Sequence, residues 1–363
     1  MRLSALLELL EMIAPTALAE PWDNVGLLAG DPAQVVRKVM LTIDYTREVA
    51  EEAAAGGSDV VISYHPPIFD ALKRITAGSL IYDAIRRGVA IYSPHTALDI
   101  AEGGTNDMLA DAIGLAERRP LRMMAATASQ CKLVVFVPPD AADKLATALF
   151  AAGAGRIGNY SCCSFRSPGT GTFFGQTRSN PAVGRAGQLE RVDELRLETV
   201  VSKDRIEAVV RALRSVHPYE EPAFDLVELA APPAGRGQGR IGVLPAPIER
   251  AEVFARIKRE LGVRHLLISG PATGPIARAA ACAGSCGDLI NDALGGGAEL
   301  YLTGEVRHHD ALRAAQCGMT VVCTLHSNSE RAVLGRVRRR IREAIPEIEA
   351  VQSERDRDPF EMV

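Results

Sequence analysis

The stretch Val60-Val61-Ile62-Ser63-Tyr64-His65-Pro66-Pro67-Ile68-Phe69 constrains this chain more than any other. Its β-branched, apolar start favours a buried strand. Two consecutive prolines then remove ladder donors and push the preceding residue out of the helical region, so the backbone must turn at His65. An imidazole is thereby set at the carboxyl end of a buried strand, where open α/β sheets gather their chemistry. Two more strand-like runs end similarly, in Tyr92-Ser93-Pro94-His95 and in Val321-Val322-Cys323-Thr324-Leu325-His326.

Strand and helix signals alternate around these runs. Leu3, Leu6, Leu7 and Leu10 form the stripe of a first helix, and Pro21-Trp22-Asp23-Asn24-Val25-Gly26-Leu27 reads as a packed, Asx-type turn. Residues 39–44, 60–63 and 89–93 are expected as strands and 47–55 and 80–87 as helices. Gly103-Gly104 precedes a helix at 108–112 that Thr105 or Asn106 can cap. This order predicts an α/β fold built on a mostly parallel sheet.

Residues 117–130 lack periodicity and read as a linker. The pattern restarts with strands at 132–137, 161–165, 172–175, 194–201 and 223–229 and helices at 141–151 and 205–215. Strand-helix-strand-strand-helix-strand is the ferredoxin-like arrangement, here with extra turns between its halves. The Pro/Gly-rich run 231–239 closes it as a second linker. We therefore expect a discontinuous main domain, 1–128 with 236–363, and an inserted α+β module at 129–235. Beyond it lie a helix at 253–261, strands near Leu266 and at 299–302, and a closing amphipathic helix with Val333, Val337, Ile341 and Ala344 at helical spacing. The small residues of 283–288 suit a tight turn with free amides, either structural or able to take an anion.

At 363 residues the chain is long enough for two domains. A formal charge of −4 gives no global reason for nucleic-acid binding, and the arginines of 336–342 read as a solvated helix face. No window offers the ~20 apolar residues of a membrane helix. Glu8 and Glu11 interrupt the apolar start as a signal peptide would not allow. Seven cysteines in no paired framework fit reduced thiols, so a cytoplasmic location is expected.

The chemistry lies with the histidines. His95 and His326 each have a carboxylate four residues on, Asp99 and Glu330. A strand-to-helix turn would aim each pair at one point. Imidazole and carboxylate are the ligand set of zinc, iron or manganese. Any one of these histidines alone would read as a hydrogen-bonded core or surface residue. Three at one topological position favour a two-metal site with a bridging carboxylate, suited to hydrolysis at a phosphate, amide or ring carbon. His308, His309 and Glu305 could touch a metal-bound water, hold a ligand in orientation, or cap the helix. His217-Pro218-Tyr219-Glu220-Glu221-Pro222 reads as a rigid turn.

Taken together, these stretches resemble the NIF-three-like family, the toroidal dinuclear-metal proteins labelled type-two GTP cyclohydrolase I homologues. The resemblance rests on residues 21–27, 64–69, 93–99, 104–107, 303–311 and 326–331, in an order spanning nearly the whole chain. It implies a homohexameric ring, two divalent ions per subunit, and metal ligands at His65, Asp99, His326 and Glu330. The module at 129–235 resembles the PII-like insert of longer members. Many bacterial members carry two adjacent histidines where this chain has Tyr64-His65, a form more like the branch with eukaryotic members; His95 is expected to fill the gap. The expected function is metal-dependent hydrolysis of a nucleotide or phosphoester-type substrate, with Glu330 bridging and His309 as proton shuttle. The alternative is a non-catalytic, metal-dependent scaffold or metal-handling protein whose insert binds partners.

Overall fold

The computed structural model describes residues 1–124, 130–158, 160–229 and 235–361. By backbone contacts the chain divides into two compact units, Met1–Met124 with Gly235–Val363, and Ala125–Ala234.

The first unit begins with α1 (Leu3–Ile13), whose stripe buries Leu3, Leu6 and Leu10 fully and Leu7 in part. It continues through β1 (Gly26–Ala29), β2 (Lys38–Thr42), α2 (Arg47–Ala55), β3 (Val60–Ser63), α3 (Leu80–Arg87), β4 (Ala90–Ser93), α4 (His95–Ile100), α5 (Thr105–Ile113) and β5 (Ala116–Met123). Thr46 and Ser79 cap α2 and α3 by accepting from amides three residues on, and Gly88 ends α3 in the left-handed conformation.

The second unit contains β6 (Gln130–Val137), α6 (Ala142–Ala151), β7 (Ser164–Phe174), β8 (Leu189–Ser202), α7 (Ile206–Val216) and β9 (Phe224–Glu228). Its four strands are ordered β7-β8-β6-β9, every neighbour antiparallel. Leu133, Val135, Leu145, Leu149, Leu197 and Leu213 fill its own core. The two strands expected at 161–165 and 172–175 are one, β7, paired residue by residue with β8. Pro168 in its middle is tolerated because β7 lies at the sheet edge, where a missing N–H costs no ladder bond.

The chain then completes the first unit with β10 (Gly237–Glu249), α8 (Arg250–Leu261), β11 (Leu267–Ser269), β12 (Pro275–Ser285), α9 (Ile290–Gly295), β13 (Leu300–Glu305), α10 (His308–Gln316), β14 (Thr320–Cys323), α11 (Arg331–Ala344) and β15 (Glu349–Gln352).

Two mixed sheets form this unit, β1-β4-β3-β2-β15 and β11-β14-β13-β12-β10-β5. In the first, β15, β2, β3 and β4 run parallel and β1 antiparallel. In the second, β12, β13 and β14 are parallel. One core joins the sheets, with Leu41, Ile62, Tyr64, Tyr92, Leu109, Leu302, Val322 and Val333 among its buried members. Burying each leucine, isoleucine or valine among them is worth about 1.5–3 kcal/mol, so together they hold the strand ends firmly.

Several expectations are corrected. Residues 117–123, expected as linker, belong to the edge strand β5, paired with β10. Arg118, Arg119 and Arg122 hide its alternation, and Arg122 is held by Asp288 at 2.6 Å and Asp292 at 2.5 Å. Charged residues suit an edge that must not recruit another strand. Of the rest of that expected linker, 125–129 lie outside the described residues, and Gln130 already opens β6. The Gly-rich run expected to end at 239 already enters β10 at Gly237. The chain does not end on α11: β15 follows and adds to β2 in parallel. None of the described helices is long and apolar enough to cross a membrane.

Candidate metal centre

The carboxyl ends of the two sheets of the first unit converge. His65 follows β3 and His95 follows β4 in one sheet; His326 follows β14 in the other. His95 and Leu325 have positive φ, 27° and 74°, conformations that non-glycine residues rarely hold. Such outliers gather at functional sites, where surrounding structure imposes them. Here each sits at the sharp turn out of a strand, next to or at a strand-end histidine.

One nitrogen of His65, one of His326 and a carboxylate oxygen of Glu330 lie within 4.8 Å of one another. His65 Nε2 is 3.2 Å from Glu330 Oε2, and His326 Nε2 is 3.4 Å from Glu330 Oε1. Glu330 is 3% exposed, yet its Oε2 and His65 Nε2 are buried with no hydrogen-bond partner. Their 3.2 Å contact is an ion pair without hydrogen-bond alignment. Orphaned polar atoms of this kind are costly unless something else satisfies them.

The other ring nitrogens are all tied down. His65 Nδ1 meets Asp44 Oδ1 at 2.9 Å, His326 Nδ1 meets Glu305 Oε1 at 2.9 Å, and His95 Nδ1 meets Asp23 Oδ1 at 2.7 Å. Imidazoles that ligate metals are characteristically held this way, with a carboxylate fixing the ring and raising its basicity. The rings cluster, His65 lying 5.4 Å from His95 and 5.3 Å from His326 between centroids. The donor set therefore fits a divalent ion of the zinc, iron or manganese type.

Electrostatics agree. Burial alone would push the Asp44 carboxyl up, but the His65 hydrogen bond and charge hold it below its ordinary value. Asp23 is lowered likewise, with His95 and Thr96 outweighing burial. Burial alone would pull His65 down; Asp44 and Glu330 outweigh it and raise its pKa to about 10.

Asp99 lies outside the convergent group. The Tyr64 hydroxyl donates to its Oδ1 and is also 3.2 Å from Thr105 Oγ1. Burial first, and then the Glu330 charge, raise Asp99 to about 6. Tyr64 is fully buried and its phenol is held well above the ordinary value by burial, so it stays a donor. His95 is also outside the 4.8 Å group, although its ring adjoins His65. His309 is exposed on the first turn of α10, stacked edge-on with His308, 5.3 Å between centroids.

The strand-end histidines alone do not point to Asp44. Its signal was topological: it follows β2, the parallel neighbour of β3, as His65 follows β3. The turn at 283–288 does not offer free amides throughout, because Ala283 N donates to Asn106 Oδ1 and Gly284 N to Ser329 Oγ. Instead Ala283 and Gly284 form a bulge in β12, and a Cβ on Gly284 would stand 2.9 Å from Glu330 Oε1 and 3.4 Å from His326 Nε2. The Gly103 amide is likewise taken, by Asp107 Oδ2.

Beside His65 a cleft of about 900 Å³ is lined by Asp44, Thr46, Glu48, His65, Arg355 and Arg357, among others. The tail that supplies the arginines is pinned through Asp356, which accepts from Ile43 N at 2.7 Å and pairs with Arg331 at 2.6 Å. Asp358 accepts from Ser327 next to His326.

The family model for Duf34/NIF3 (NGG1p interacting factor 3) matches residues 1–359. A Halalkalibacterium halodurans protein named GTP cyclohydrolase 1 type 2 homolog is 36% identical, over 98% of each chain. A Bacillus subtilis protein of the same name is 37% identical over 87% of this chain and 86% of its own. Among solved structures, a Bacillus cereus protein related to NIF3 is 34% identical with a TM-score of 0.67, covering 100% of this chain and 99% of its own. The Staphylococcus aureus protein SA1388 aligns over the same shares with a TM-score of 0.79 at 26% identity. With strand ends, turn motifs and whole-chain matches in agreement, this chain belongs to the Duf34/NIF3 family.

Proposed function

We propose that this protein is a metal-dependent hydrolase of a nucleotide or phosphoester-type substrate, acting at a dinuclear divalent-metal centre. The observation that carries the reading is the buried, unpartnered pair His65 Nε2 and Glu330 Oε2 converging with His326, each imidazole backed by a carboxylate. His65, His326 and Glu330 would hold one ion, and His95 and Asp99 together with Glu330 would serve a second. The Asp23–His95 pair supports this role because it repeats the arrangement at the other two histidines. Bound ions of this type supply Lewis acidity at a phosphoryl or carbonyl centre.

The chain's own residues do the rest. Asp44 and Glu305 fix the imidazoles in the tautomer that turns Nε2 inward. Arg355 and Arg357 flank the cleft beside His65 and offer cationic donors to an anionic substrate, with guanidinium geometry suited to phosphate. His309 is the proposed proton carrier. The β-α-β-β-α-β order of the second unit supports a PII-like module, and we propose a homohexamer as the assembly.

Metal analysis tests the centre. About two ions per chain are expected for the wild type, about one for His95→Ala, and loss of hydrolysis of nucleotides or generic phosphoesters in Glu330→Ala. An unchanged count in His95→Ala removes His95 from the ligands. Metal bound without turnover on any such substrate would instead support a scaffold.

A further inference from the structure

The bulge beneath the metal ligands is bracketed by two cysteines. Cys282 is buried at the end of the regular β12–β13 pairing, and Cys286 is partly exposed just past it. Their sulfurs lie 2.7 Å apart, with the Cys282 thiol directed at Cys286. The Cys286 thiol in turn contacts the Ala283 carbonyl at 3.0 Å, and Cys286 O accepts from Tyr301 at 2.8 Å. The other cysteines have no such neighbour among the described residues.

We propose that Cys282 and Cys286 form an intramolecular disulfide on meeting a peroxide, and that this bond loosens the metal site through the bulge between them. The second half rests on the metal reading above; the first does not. Cys286, the less buried of the two, reacts first: its sulfur takes one peroxide oxygen as a sulfenic acid, the O–O bond breaks, and the thiol proton leaves with the other oxygen as water. The Cys282 sulfur then attacks the sulfenic sulfur, its proton leaving with the hydroxyl as a second water. Two thiols and one peroxide become one disulfide and two waters, with two electrons passing from sulfur to oxygen.

Closing the sulfurs from 2.7 Å to the ~2.05 Å of a disulfide removes the thiol that meets the Ala283 carbonyl and tightens the loop holding Gly284. That loop has little slack. Gly284 N is tied to Ser329 Oγ at 2.8 Å, Gly284 O accepts from Thr303 Oγ1 at 3.2 Å, and the missing Cβ leaves only enough space for Glu330 and His326. Outer partners of a ligand set are worth roughly ten- to hundredfold in metal affinity.

Both cysteines fall in one tryptic peptide, Ala279 to Arg307, so a single mass measurement reads the bond. After hydrogen peroxide and alkylation, this peptide should be two hydrogens lighter and unalkylated in the wild type, and never so in Cys286→Ser. Zinc competition against a chromogenic chelator should show the oxidised wild type weaker by about tenfold or more, with dithiothreitol restoring it. Cys286→Ser should bind zinc as the reduced wild type does, before and after peroxide. Two alkylated thiols, or bridges to other cysteines, overturn the disulfide. A disulfide without loss of zinc affinity overturns the coupling. Weak zinc binding by a reduced Cys282→Ser/Cys286→Ser variant assigns the ion to the thiols and also overturns it. Zinc that fails to bind the reduced wild type refutes the metal reading, while the peptide mass still decides the disulfide.

Discussion

Replacing Tyr64 by phenylalanine removes one oxygen from a fully buried ring and nothing else. Its hydroxyl lies on Asp99 and Thr105, so the cost depends on the charge of Asp99. Folding raises that carboxyl from 3.8 to about 6. The protonated acid therefore favours the fold: this contribution is complete below pH 3.8 and is lost as pH climbs through about 6. Two units correspond to about 3 kcal/mol at most, and the partial exposure of Asp99 reduces it. Tyr64 works against that loss by donating to the ionised form. A hydrogen bond to a charged group is worth about 1.5–3 kcal/mol and one to a neutral group about 1 kcal/mol. Tyr64→Phe should therefore be destabilised by about 1 kcal/mol at pH 5 and by about 2–3 kcal/mol at pH 8. Urea unfolding of chelator-treated protein at one concentration measures the gap. Trp22, the single tryptophan, reports on the first unit because its ring lies 6.0 Å from both Phe69 and His95. An equal gap at both pH values, or a larger one at pH 5, would refute the reasoning.

Metal binding must displace the proton that His65 carries while its pKa stands near 10, so affinity should rise with pH, about tenfold per unit, and level off near that value. Calorimetry in two buffers of different ionisation enthalpy should show about one proton released at pH 7.5, and none would contradict it. Gly284→Ala puts a side chain at φ +71° and 2.9 Å from Glu330 Oε1, and should cost roughly 1–2 kcal/mol of stability from the backbone alone together with weaker metal binding. Thermal melts with and without zinc measure both, and an unchanged zinc-induced shift would count against the placement of Gly284. Asp44→Asn keeps the shape but removes the charge behind His65; zinc affinity should fall about ten- to hundredfold, and competition titration showing no change would sink the proposed role.

How much was legible in the residues follows from what local physics controls. The Val-Val-Ile-Ser run with its two prolines determined where β3 stops and His65 begins, because strand preference and proline sterics act over a few residues. The same logic located His95, the β-branched run alone located His326, and the leucine stripe located α1. Local pattern failed where long-range pairing decides. The arginines of β5 look like linker until β10 and the acids Asp288 and Asp292 are alongside. The alanine-rich 279–281 lacks β-branched residues, yet lies buried in β12 between β10 and β13. β15 is a strand because β2 offers an open parallel edge.

The site divides along the same line. Sequence alone determined which imidazoles stand at strand ends, since each is set by its own turn. Only the tertiary structure decided that two sheets meet there, bringing His65 from one to Glu330 of the other, 265 positions apart in the chain. It also decided that Asp44, Asp23 and Glu305 back the three rings, and that Tyr64 faces Asp99. These are contacts between strand ends far apart in the chain. No short-range preference encodes them; burial of the shared core brings them within reach.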